Sequence, residues 1–439
     1  MTFGPPGALG GVTDLYELTM GQSYLALGMV APATFSCFFR KFPEGRGFLL
    51  AMGIEQVLED LEEWRFSSDQ VDYLREHGFD EEFLDWLREV RFEGRVRGMR
   101  EGTVFYPDEP VLEVTASLPV AQLLETLVLN EIGYPTLTAT KAARCVLAAQ
   151  GRDCVDFALR RTQGLEAGMK FARASYLAGF VATSNVAAAQ ALGIPPSGTM
   201  AHSYVTAFSS ELEAFRAYAR EFGSKTVLLV DTYDTLEGVR QAVVVAKEME
   251  ERGERLRAVR LDSGDIPSLA HGTRQILDEA GLQEVEIFVS GGMDEFAIAE
   301  LVQNGVPVDG FGVGTGVATS EDAPVADVVY KMVAYEGRPT FKLSEGKRTW
   351  AGGKQVFRDG EVDTLGLADE DLPGLPLLEE LWSGSDRLVE DDLEAIRARI
   401  GAELKQVPEE RLRFSGPVSY RPQPSRKLAE LQQALERAM

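Results

Sequence analysis

From about residue 150 onward, the sequence repeats one pattern: a short apolar run, a polar or glycine-containing motif, and then a helix-like stretch. The apolar runs are CVDF (154–157), GFVAT (179–183), GTMA (198–201), TVLLV (226–230), AVRL (258–261), EIFV (286–289) and GFGV (310–313). Helices are predicted over 209–223, 235–253, 269–281 and 294–305, each of which ends at a glycine. Because strands alternate with helices and no Rossmann fingerprint is present, we predict a parallel β/α barrel.

In such a barrel, the loops that follow the strands carry the active site. Every predicted strand here is followed at once by polar residues. These are Arg160 and Arg161, Ser184 and Asn185, His202 and Ser203, DTYD (231–234), DSGD (262–265), SGGMDE (290–295) and GTG (314–316). We therefore expect seven polar clusters to converge on one rim of the barrel.

The sequence on either side of the barrel shows a different pattern of predicted helices and strands. Residues 1–120 combine an amphipathic start, acidic helices and glycine-rich strands, which predicts an α+β N-terminal domain. The barrel is placed at residues 121–325. Residues 326–439 are predicted to form a C-terminal extension packed on it, with a β-meander over 330–358 followed by helices and Pro-rich links. The predicted fold class is α/β, an irregular parallel β/α barrel with these two additions.

Charge and composition exclude several classes of partner. The formal net charge of −25 would repel nucleic acid and anionic lipid. No apolar run approaches the ~20 residues of a membrane span, and the first residues lack the pattern of a secretory signal. The three cysteines form no CxxC pair, which indicates a reducing compartment. We expect a cytoplasmic protein that holds any anionic ligand with a few local cations and backbone amides.

Three histidines are present, and position separates them. His77 and His271 lie in polar, helix-type segments, where a histidine is usually structural or on the surface. His202, in GTMAHS, is predicted to end a strand on the rim that carries the polar motifs. A nucleophile or general base would be useful there.

Two pairs of carboxylates follow predicted strands directly. DTYD and DSGD each place two aspartates three residues apart, where they could orient an imidazole, bind Mg²⁺ or accept hydrogen bonds from sugar hydroxyls. Aspartate is also a common helix cap, and Asp234 and Asp294 are predicted to cap. Asp231, Asp262 and Asp265 are the better functional candidates.

Two glycine loops and several arginines indicate a binding site for phosphate. SGG (290–292) and GVGTG (312–316) offer unobstructed backbone amides next to helix starts on late strands, where barrel enzymes often hold phosphate. Arg160, Arg161 and Arg260 are cations beside the same rim, although each could instead form a surface salt bridge. Together these features describe a site for an anion with several phosphates.

The motifs in this order resemble those of the nicotinate phosphoribosyltransferases, relatives of the nicotinamide and quinolinate enzymes. The resemblance rests on TDLYELTM (13–20), FFRK (38–41), ATKAAR (139–144), DFALRR (156–161), ATSNV (182–186), GTMAHS (198–203), DTYD, RLDSGD (260–265), SGGMDE and GVGT. It implies a homodimer, or a dimer of dimers, whose sites combine the barrel with the neighbour's N-terminal domain. The implied reaction joins nicotinate to 5-phosphoribosyl 1-diphosphate and is coupled to ATP hydrolysis.

The resemblance also implies roles for particular residues. His202 would be phosphorylated transiently by ATP, with Asp231 orienting it, while Arg260 and Asp262 would hold the phosphoribosyl donor and its Mg²⁺. Asp265 would be a further Mg²⁺ ligand. The 5′-phosphate would be cradled by Ser290, Gly291, Gly292, Gly314 and Thr315. Phe157 and the partner subunit's Tyr16 would sandwich the pyridine ring, Thr183 and Ser184 would contact substrate, and Arg160, Arg40 and Lys41 would face phosphates.

Three other functions remain open at this point. A quinolinate enzyme would need more cations than this rim shows, and a catalytically silent nucleotide-binding barrel would have no need of His202 or the aspartate pairs. The third is a nicotinamide phosphoribosyltransferase. In nicotinamide relatives an aspartate corresponds to Ser184 and accepts a hydrogen bond from the amide, whereas a serine can donate to a carboxylate.

Replacing Ser184 by Asp should therefore shift the substrate preference from the acid to the amide. The new carboxylate would repel nicotinate and accept from the nicotinamide NH₂. Diphosphate release measured with each substrate tests this, and an unchanged acid-to-amide ratio in S184D would contradict the assignment of Ser184 to the pyridine subsite.

Overall fold

The computed structural model describes residues 8–344 and 347–438. The chain divides into two compact units, which we call the flanking unit (Met1–Leu137 with Val325–Met439) and the central unit (Thr138–Pro324). Within the described residues, no helix is both long enough and apolar enough to cross a membrane.

The N-terminal part of the flanking unit mixes strands and helices, as the predicted α+β domain requires. Its strands are β1 (Pro32–Phe39), β2 (Leu49–Leu50), β3 (Gly94–Gly98), β4 (Val104–Phe105) and β5 (Pro110–Ser117). Its helices are α1 (Leu15–Ala26), α2 (Ile54–Glu63), α3 (Ser68–Glu76), α4 (Glu81–Glu89) and α5 (Leu118–Leu123). The long helix α6 (Glu125–Ala149) then leads into the central unit.

The central unit contains a parallel sheet with helices between its strands, and the predicted α/β class is confirmed. The strands are β6 (Asp153–Asp156), β7 (Ala182–Thr183), β8 (Val227–Leu229), β9 (Ala258–Leu261), β10 (Glu286–Val289) and β11 (Gly310–Val313). They pair in the order β7-β6-β11-β10-β9-β8. The helices are α7 (Leu165–Leu177), α8 (Val186–Leu192), α9 (His202–Thr206), α10 (Glu211–Phe222), α11 (Thr235–Glu251), α12 (Ile266–Glu279), α13 (Glu295–Gln303) and α14 (Thr315–Ala318).

The prediction of a strand at residues 198–201 is wrong. Residues 198–201 are extended but form no strand, so in the described sheet β7 and β8 lie at the two edges and the barrel is half closed. Two prolines precede this segment, and Pro196 makes a single isolated bridge with Thr183. Neither proline can donate a backbone hydrogen bond, so the chain that leads into this segment cannot continue a regular ladder with β7. His202 consequently begins helix α9 rather than ending a strand.

The helix boundaries follow the predicted capping chemistry. The side chains of Ser210, Asp234 and Asp294 accept backbone hydrogen bonds at the starts of α10, α11 and α13. Asp234 and Asp294 therefore cap, as predicted. Each of these helices ends within a few residues of the glycine that the sequence offers, at Gly223, Gly253 and Gly305.

The C-terminal part of the flanking unit contains more strand than predicted. Its strands are β12 (Val328–Tyr335), β13 (Arg338–Pro339), β14 (Lys354–Asp359), β15 (Val362–Leu367), β16 (Leu375–Pro376), β17 (Glu379–Gly384), β18 (Asp386–Arg387) and β19 (Gln423–Pro424). Its helices are α15 (Leu393–Leu404), α16 (Glu409–Leu412) and α17 (Arg426–Arg437). The β-meander predicted over 330–358 is divided between two sheets, one containing β12 and β13 and the other β14.

N-terminal and C-terminal strands share one sheet, with the order β13-β12-β1-β5-β3-β17-β18. β1 pairs antiparallel with β5 on one side and with β12 on the other, and Phe35 of β1 stacks on Tyr330 of β12 with ring centroids 4.8 Å apart. The segments predicted as two separate domains, 1–120 and 326–439, therefore form one unit. Strand pairing between distant parts of a chain leaves no signal in local sequence pattern.

Arg411 of α16 is packed between aromatic rings in the flanking unit. Its guanidinium lies 3.9 Å from the Tyr420 ring centroid and 5.0 Å from that of Tyr106, and Nη1 donates to the Tyr106 hydroxyl (3.0 Å). The residue is only 8% exposed. It joins helix α16 to Tyr106, which follows β4, and to Tyr420, which precedes β19.

We expect R411A to destabilise the flanking unit by about 2–4 kcal/mol, because it removes cation–π contacts and leaves the Tyr106 hydroxyl without its donor. Arg426→Ala is the matched control, since the exposed Arg426–Glu430 pair should contribute under about 1 kcal/mol. Urea unfolding followed by aromatic fluorescence measures both. Equal midpoints for the two variants would contradict this account of Arg411.

Candidate active site

A buried arginine at the end of β9 ties three chain segments together. Arg260 donates from Nε to the Ser290 hydroxyl (2.9 Å) and from Nη2 to Asp262 Oδ1 (3.0 Å). Its Nη1 donates to the Thr199 hydroxyl (2.7 Å) and to the Met200 carbonyl (3.2 Å). Arg260, which was predicted to hold the phosphoribosyl donor, thus has most of its N–H groups committed to the protein.

The same contacts determine the charge state of Asp262. Burial by itself would raise the pKa of this carboxyl, but the hydrogen bond from Ser290 and the positive charge of Arg260 outweigh it. The pKa of Asp262 is therefore lowered. With Oδ1 held by Ser290 and Arg260, Oδ2 points toward His202, 4.0 Å from its Nε2.

His202 presents one edge of its ring to two carboxylates. Nε2 lies 3.9 Å from Asp231 Oδ1 and 4.0 Å from Asp262 Oδ2, while Nδ1 lies 3.1 Å from the Thr232 hydroxyl oxygen. Thr232 is therefore within hydrogen-bond distance of the ring, while both carboxylates lie just beyond that distance from Nε2. The side chain is 43% exposed, which leaves the ring accessible to a ligand.

Asp231 was predicted to orient His202, and the structure places it beyond hydrogen-bond distance of the imidazole. Its Oδ2 accepts from the backbone N–H of Asp262 (3.0 Å) and from the Ser263 hydroxyl (2.6 Å). Its Oδ1 is buried and has no hydrogen-bond partner among the described residues. Thr232 makes the hydrogen bond to the ring, a role that the sequence analysis missed although this residue lies within DTYD.

The sequence analysis also missed a second residue, which lies near the DTYD segment (231–234). Glu211, the first residue of α10, is buried, and this burial together with the nearby charges of Asp231, Asp234 and Glu237 raises its pKa to about 7. No motif marks it, because only packing brings α10 against the end of β8. Thr199, which accepts from Arg260, was missed for a similar reason.

The two glycine loops follow neighbouring strands, β10 and β11. Gly291 has φ +83° and lies so close to β9 that a Cβ there would stand 2.0 Å from the Asp262 carbonyl oxygen. Gly292 has φ +71° but faces open space. Gly314 precedes α14, and Thr315 is its first residue. Ser290, also predicted to bind phosphate, is buried with its hydroxyl between Arg260 and Asp262.

The predicted pyridine subsite lies at the ends of β6 and β7. The Phe157 ring is half-buried, 5.6 Å from the Arg260 guanidinium and packed against Gly312. Thr183, predicted to contact substrate, is buried, with its hydroxyl donating to Asp156 Oδ2 (2.6 Å). Burial raises the pKa of Asp156. Ser184, the next residue, is half-buried.

Two other predicted site residues are Arg160, a predicted phosphate-facing cation, and Asp265, a predicted Mg²⁺ ligand. Arg160 is exposed in a short 3₁₀ turn after β6. Asp265 begins α12 and accepts from the Ser268 hydroxyl (2.6 Å). Among the described residues, no group of three or more His, Cys, Asp and Glu side chains is arranged to hold a metal ion. Mg²⁺ binding therefore stays a prediction that needs ligands from a substrate.

Tyr16, Arg40 and Lys41 belong to the flanking unit, whereas the other predicted site residues belong to the central unit. Tyr16 is 46% exposed on α1, and burial together with the charge of Glu125 raises its pKa. Arg40 follows β1 and lies 3.7 Å from Asp327, and Lys41 is exposed. Their predicted contribution to a neighbouring subunit's site stays a prediction.

Comparison with known proteins shows the family to which the chain belongs. Residues 12–133 match the family model described as the nicotinate phosphoribosyltransferase (NAPRTase) N-terminal domain, and residues 153–352 match the nicotinate phosphoribosyltransferase (NAPRTase) family. The chain is 50% identical over 382 residues to nicotinate phosphoribosyltransferase pncB2 of Mycobacterium tuberculosis, covering 86% of this chain and 82% of that protein. The chain belongs to the nicotinate phosphoribosyltransferase family.

More distant members of the family share the architecture as well. The Bacillus subtilis nicotinate phosphoribosyltransferase is 39% identical over 376 residues, covering 82% of this chain and 76% of that protein. The crystal structure of human nicotinic acid phosphoribosyltransferase superposes with a TM-score of 0.87 at 30% identity, covering 96% of this chain and 99% of that one. The family fold therefore extends across both units.

Gly291 and Gly292 allow a direct test of how closely the loop after β10 packs against β9 in this nicotinate phosphoribosyltransferase family member. Both have positive φ, so alanine costs about 1–2 kcal/mol of backbone strain at either position. Only alanine at position 291 would also clash with the Asp262 carbonyl oxygen. We expect G291A to melt several degrees lower than G292A, about 2–4 °C per additional kcal/mol. Calorimetry measures the two melting temperatures, and equal values would show that the loop can move away from β9.

Proposed function

We propose that this chain joins nicotinate to the anomeric carbon of 5-phosphoribosyl 1-diphosphate, forming nicotinate mononucleotide and diphosphate within NAD biosynthesis. We further propose that ATP hydrolysis drives the reaction through a phosphohistidine at His202. The observation that carries this proposal is the His202 ring, half-exposed, with Thr232 at one nitrogen and two carboxylates at the other. The family relatives named above supply the substrate class.

For the transfer step, the site must stabilise a departing diphosphate and hold the pyridine nitrogen in line with the anomeric carbon. The glycine loops after β10 and β11 would bind the 5′-phosphate with backbone N–H groups. Phe157 offers a ring face to the pyridine, and Ser184 can donate to its carboxylate. No protein nucleophile is required, because the pyridine nitrogen attacks the anomeric carbon as its bond to diphosphate breaks.

Mg²⁺ would be held by Asp262, with Asp265 as the second candidate. The donor set fits a hard cation, since Asp262 Oδ2 is not used by Arg260 or Ser290 and the lowered pKa of Asp262 keeps it ionised. When bound, the ion would offset the negative charge of the phosphates. Arg260 and Ser290 keep the carboxylate in its orientation.

For the coupling step, the carboxylates of Asp231 and Asp262 stabilise a proton on Nε2 of His202. Nδ1 then carries the lone pair, which accepts from the Thr232 hydroxyl until ATP takes the place of that bond. Attack of Nδ1 on the γ-phosphorus of ATP forms the N–P bond and breaks the bond to ADP, which leaves with the electron pair. Phosphorylation of His202 would favour donor binding and product formation.

Other parts of the proposal rest on the family resemblance. They are assembly as a homodimer or dimer of dimers and the use of Tyr16, Arg40 and Lys41 in the neighbour's site. The cytoplasmic location that we propose rests instead on the sequence, because its three cysteines form no CxxC pair. We propose nicotinate, the phosphoribosyl diphosphate and ATP as the ligands, rather than nucleic acid or a membrane surface. The net charge of −25 supports that exclusion.

We expect His202→Ala to abolish the stimulation of nicotinate mononucleotide synthesis by ATP while a slow ATP-independent synthesis remains, because only the coupling step needs the imidazole. His271→Ala, an exposed histidine on α12, is the matched control and should couple normally. Product formation is measured with and without ATP, and labelled ATP should give an acid-labile, base-stable phosphoprotein with wild type and H271A. Unchanged coupling in H202A would refute the phosphohistidine role.

A further inference from the structure

A cluster of buried charges lies away from the histidine, on one face of α6. Glu295 is fully buried, with Oε1 3.0 Å from Arg144 Nε and Oε2 2.8 Å from Lys141 Nζ. Lys141 Nζ also lies 2.8 Å from Asp322 Oδ1. The side chains of Lys141 and Arg144 are 1% and 0% exposed. Burying charges in this way costs desolvation energy that the pairing only partly offsets, so stability alone is a weak reason for the cluster.

The two carboxylates that meet at Lys141 come from the chain segments that carry the glycine loops. Glu295 is the first residue of α13, which directly follows the loop at 290–292. Asp322 comes shortly after α14, the helix that begins at the loop 314–316. Where these segments approach, a Cβ on Gly316 would lie 3.8 Å from the Asp294 Cβ. One ammonium group therefore links both loop segments to α6.

The loops need such a link because sheet pairing ends before them. β10 and β11 are in register only at Phe288–Gly310 and Val289–Phe311. Beyond these pairs, no strand hydrogen bond between β10 and β11 sets the distance from the amides at 290–292 to those at 314–315. Lysine suits the task, since its compact ammonium has three donors and can bond two carboxylates at once.

We infer that Lys141 and Asp322 are positioning residues for the binding of a sugar 5-phosphate. By fixing Glu295 and Asp322 on one ammonium, they hold the two glycine loops at the spacing at which both can donate N–H groups to the same phosphomonoester. This inference rests on the proposed function for the identity of the ligand. Neither residue contacts the substrate, and both act through the loops.

Asp322→Ala is the sharpest variant, because Lys141 keeps its ion pair with Glu295 and the carboxylate that is removed is the most exposed of the four charged groups. We expect D322A to weaken the binding of ribose 5-phosphate by about tenfold, since misplaced amides lose charge-assisted hydrogen bonds to phosphate. Nicotinate affinity and the melting temperature should stay near wild type. Asp322→Asn keeps an oxygen acceptor for Lys141 and should recover most of the lost affinity.

Glu248→Ala is the matched control. It breaks the Arg216–Glu248 pair between α10 and α11 in the same unit, and Glu248 is 34% exposed compared with 33% for Asp322. Titration calorimetry with ribose 5-phosphate and with nicotinate compares the wild type, D322A, D322N and E248A. The inference is overturned if D322A binds ribose 5-phosphate like wild type, if E248A weakens it equally, or if the wild type does not bind it.

The turnover assay separates this inference from the proposed function. Suppose that the wild type binds ribose 5-phosphate more tightly than D322A, but no nicotinate mononucleotide forms from nicotinate and 5-phosphoribosyl 1-diphosphate. The positioning role of Lys141 and Asp322 is then supported, and the proposed reaction is refuted. If turnover is observed, D322A should raise KM for the phosphoribosyl donor about tenfold and leave KM for nicotinate unchanged. A variant that is only less stable would leave the KM for the phosphoribosyl donor and the KM for nicotinate both unchanged.

Discussion

The arrangement of the site depends on the Arg260 guanidinium. It is a buried cation in a chain of net charge −25, and it bonds to the segment at Thr199–Met200, to Asp262 and to Ser290. These bonds hold Asp262 with one oxygen occupied and the other toward His202. One of the two carboxylates beside the imidazole, that of Asp262, is therefore held in position by an arginine. An always-charged guanidinium with five N–H donors suits this task better than lysine, because it can bond several groups at once.

Close backbone approach completes the site where side-chain bonds do not reach. Gly291 brings the loop after β10 against the Asp262 carbonyl, and Gly312 leaves room for the ring of Phe157. Both contacts exclude a Cβ, so the packing of the loop after β10 and of the Phe157 ring depends on glycine. The charged link at Lys141 then adds a tie outside the sheet. Strand pairing, glycine contacts and a buried ion cluster thus act on the same two loops.

The flanking unit shows a different balance between local and distant interactions. Its sheet is completed by β12 and β17, which come from the far end of the chain. Arg411, held between Tyr106 and Tyr420, adds a contact between segments that are also far apart in sequence. The C-terminal extension, whose role the sequence pattern left open, is therefore a structural part of the N-terminal unit. The family match over residues 12–133 fits this, since that segment supplies β1, β3 and β5 of the sheet.

The sequence by itself determined the alternation of strands and helices, the caps at Asp234 and Asp294, the polar ends of the strands, and the family. These features are local, since hydrophobic period and capping involve residues within one or two helical turns. Only the tertiary structure decided that 198–201 stays unpaired, that Thr232 rather than Asp231 bonds the imidazole, and that the two ends of the chain share a sheet. Each of these depends on which distant groups meet, because geometry of a few tenths of an ångström, rather than residue type, selects a hydrogen-bond partner.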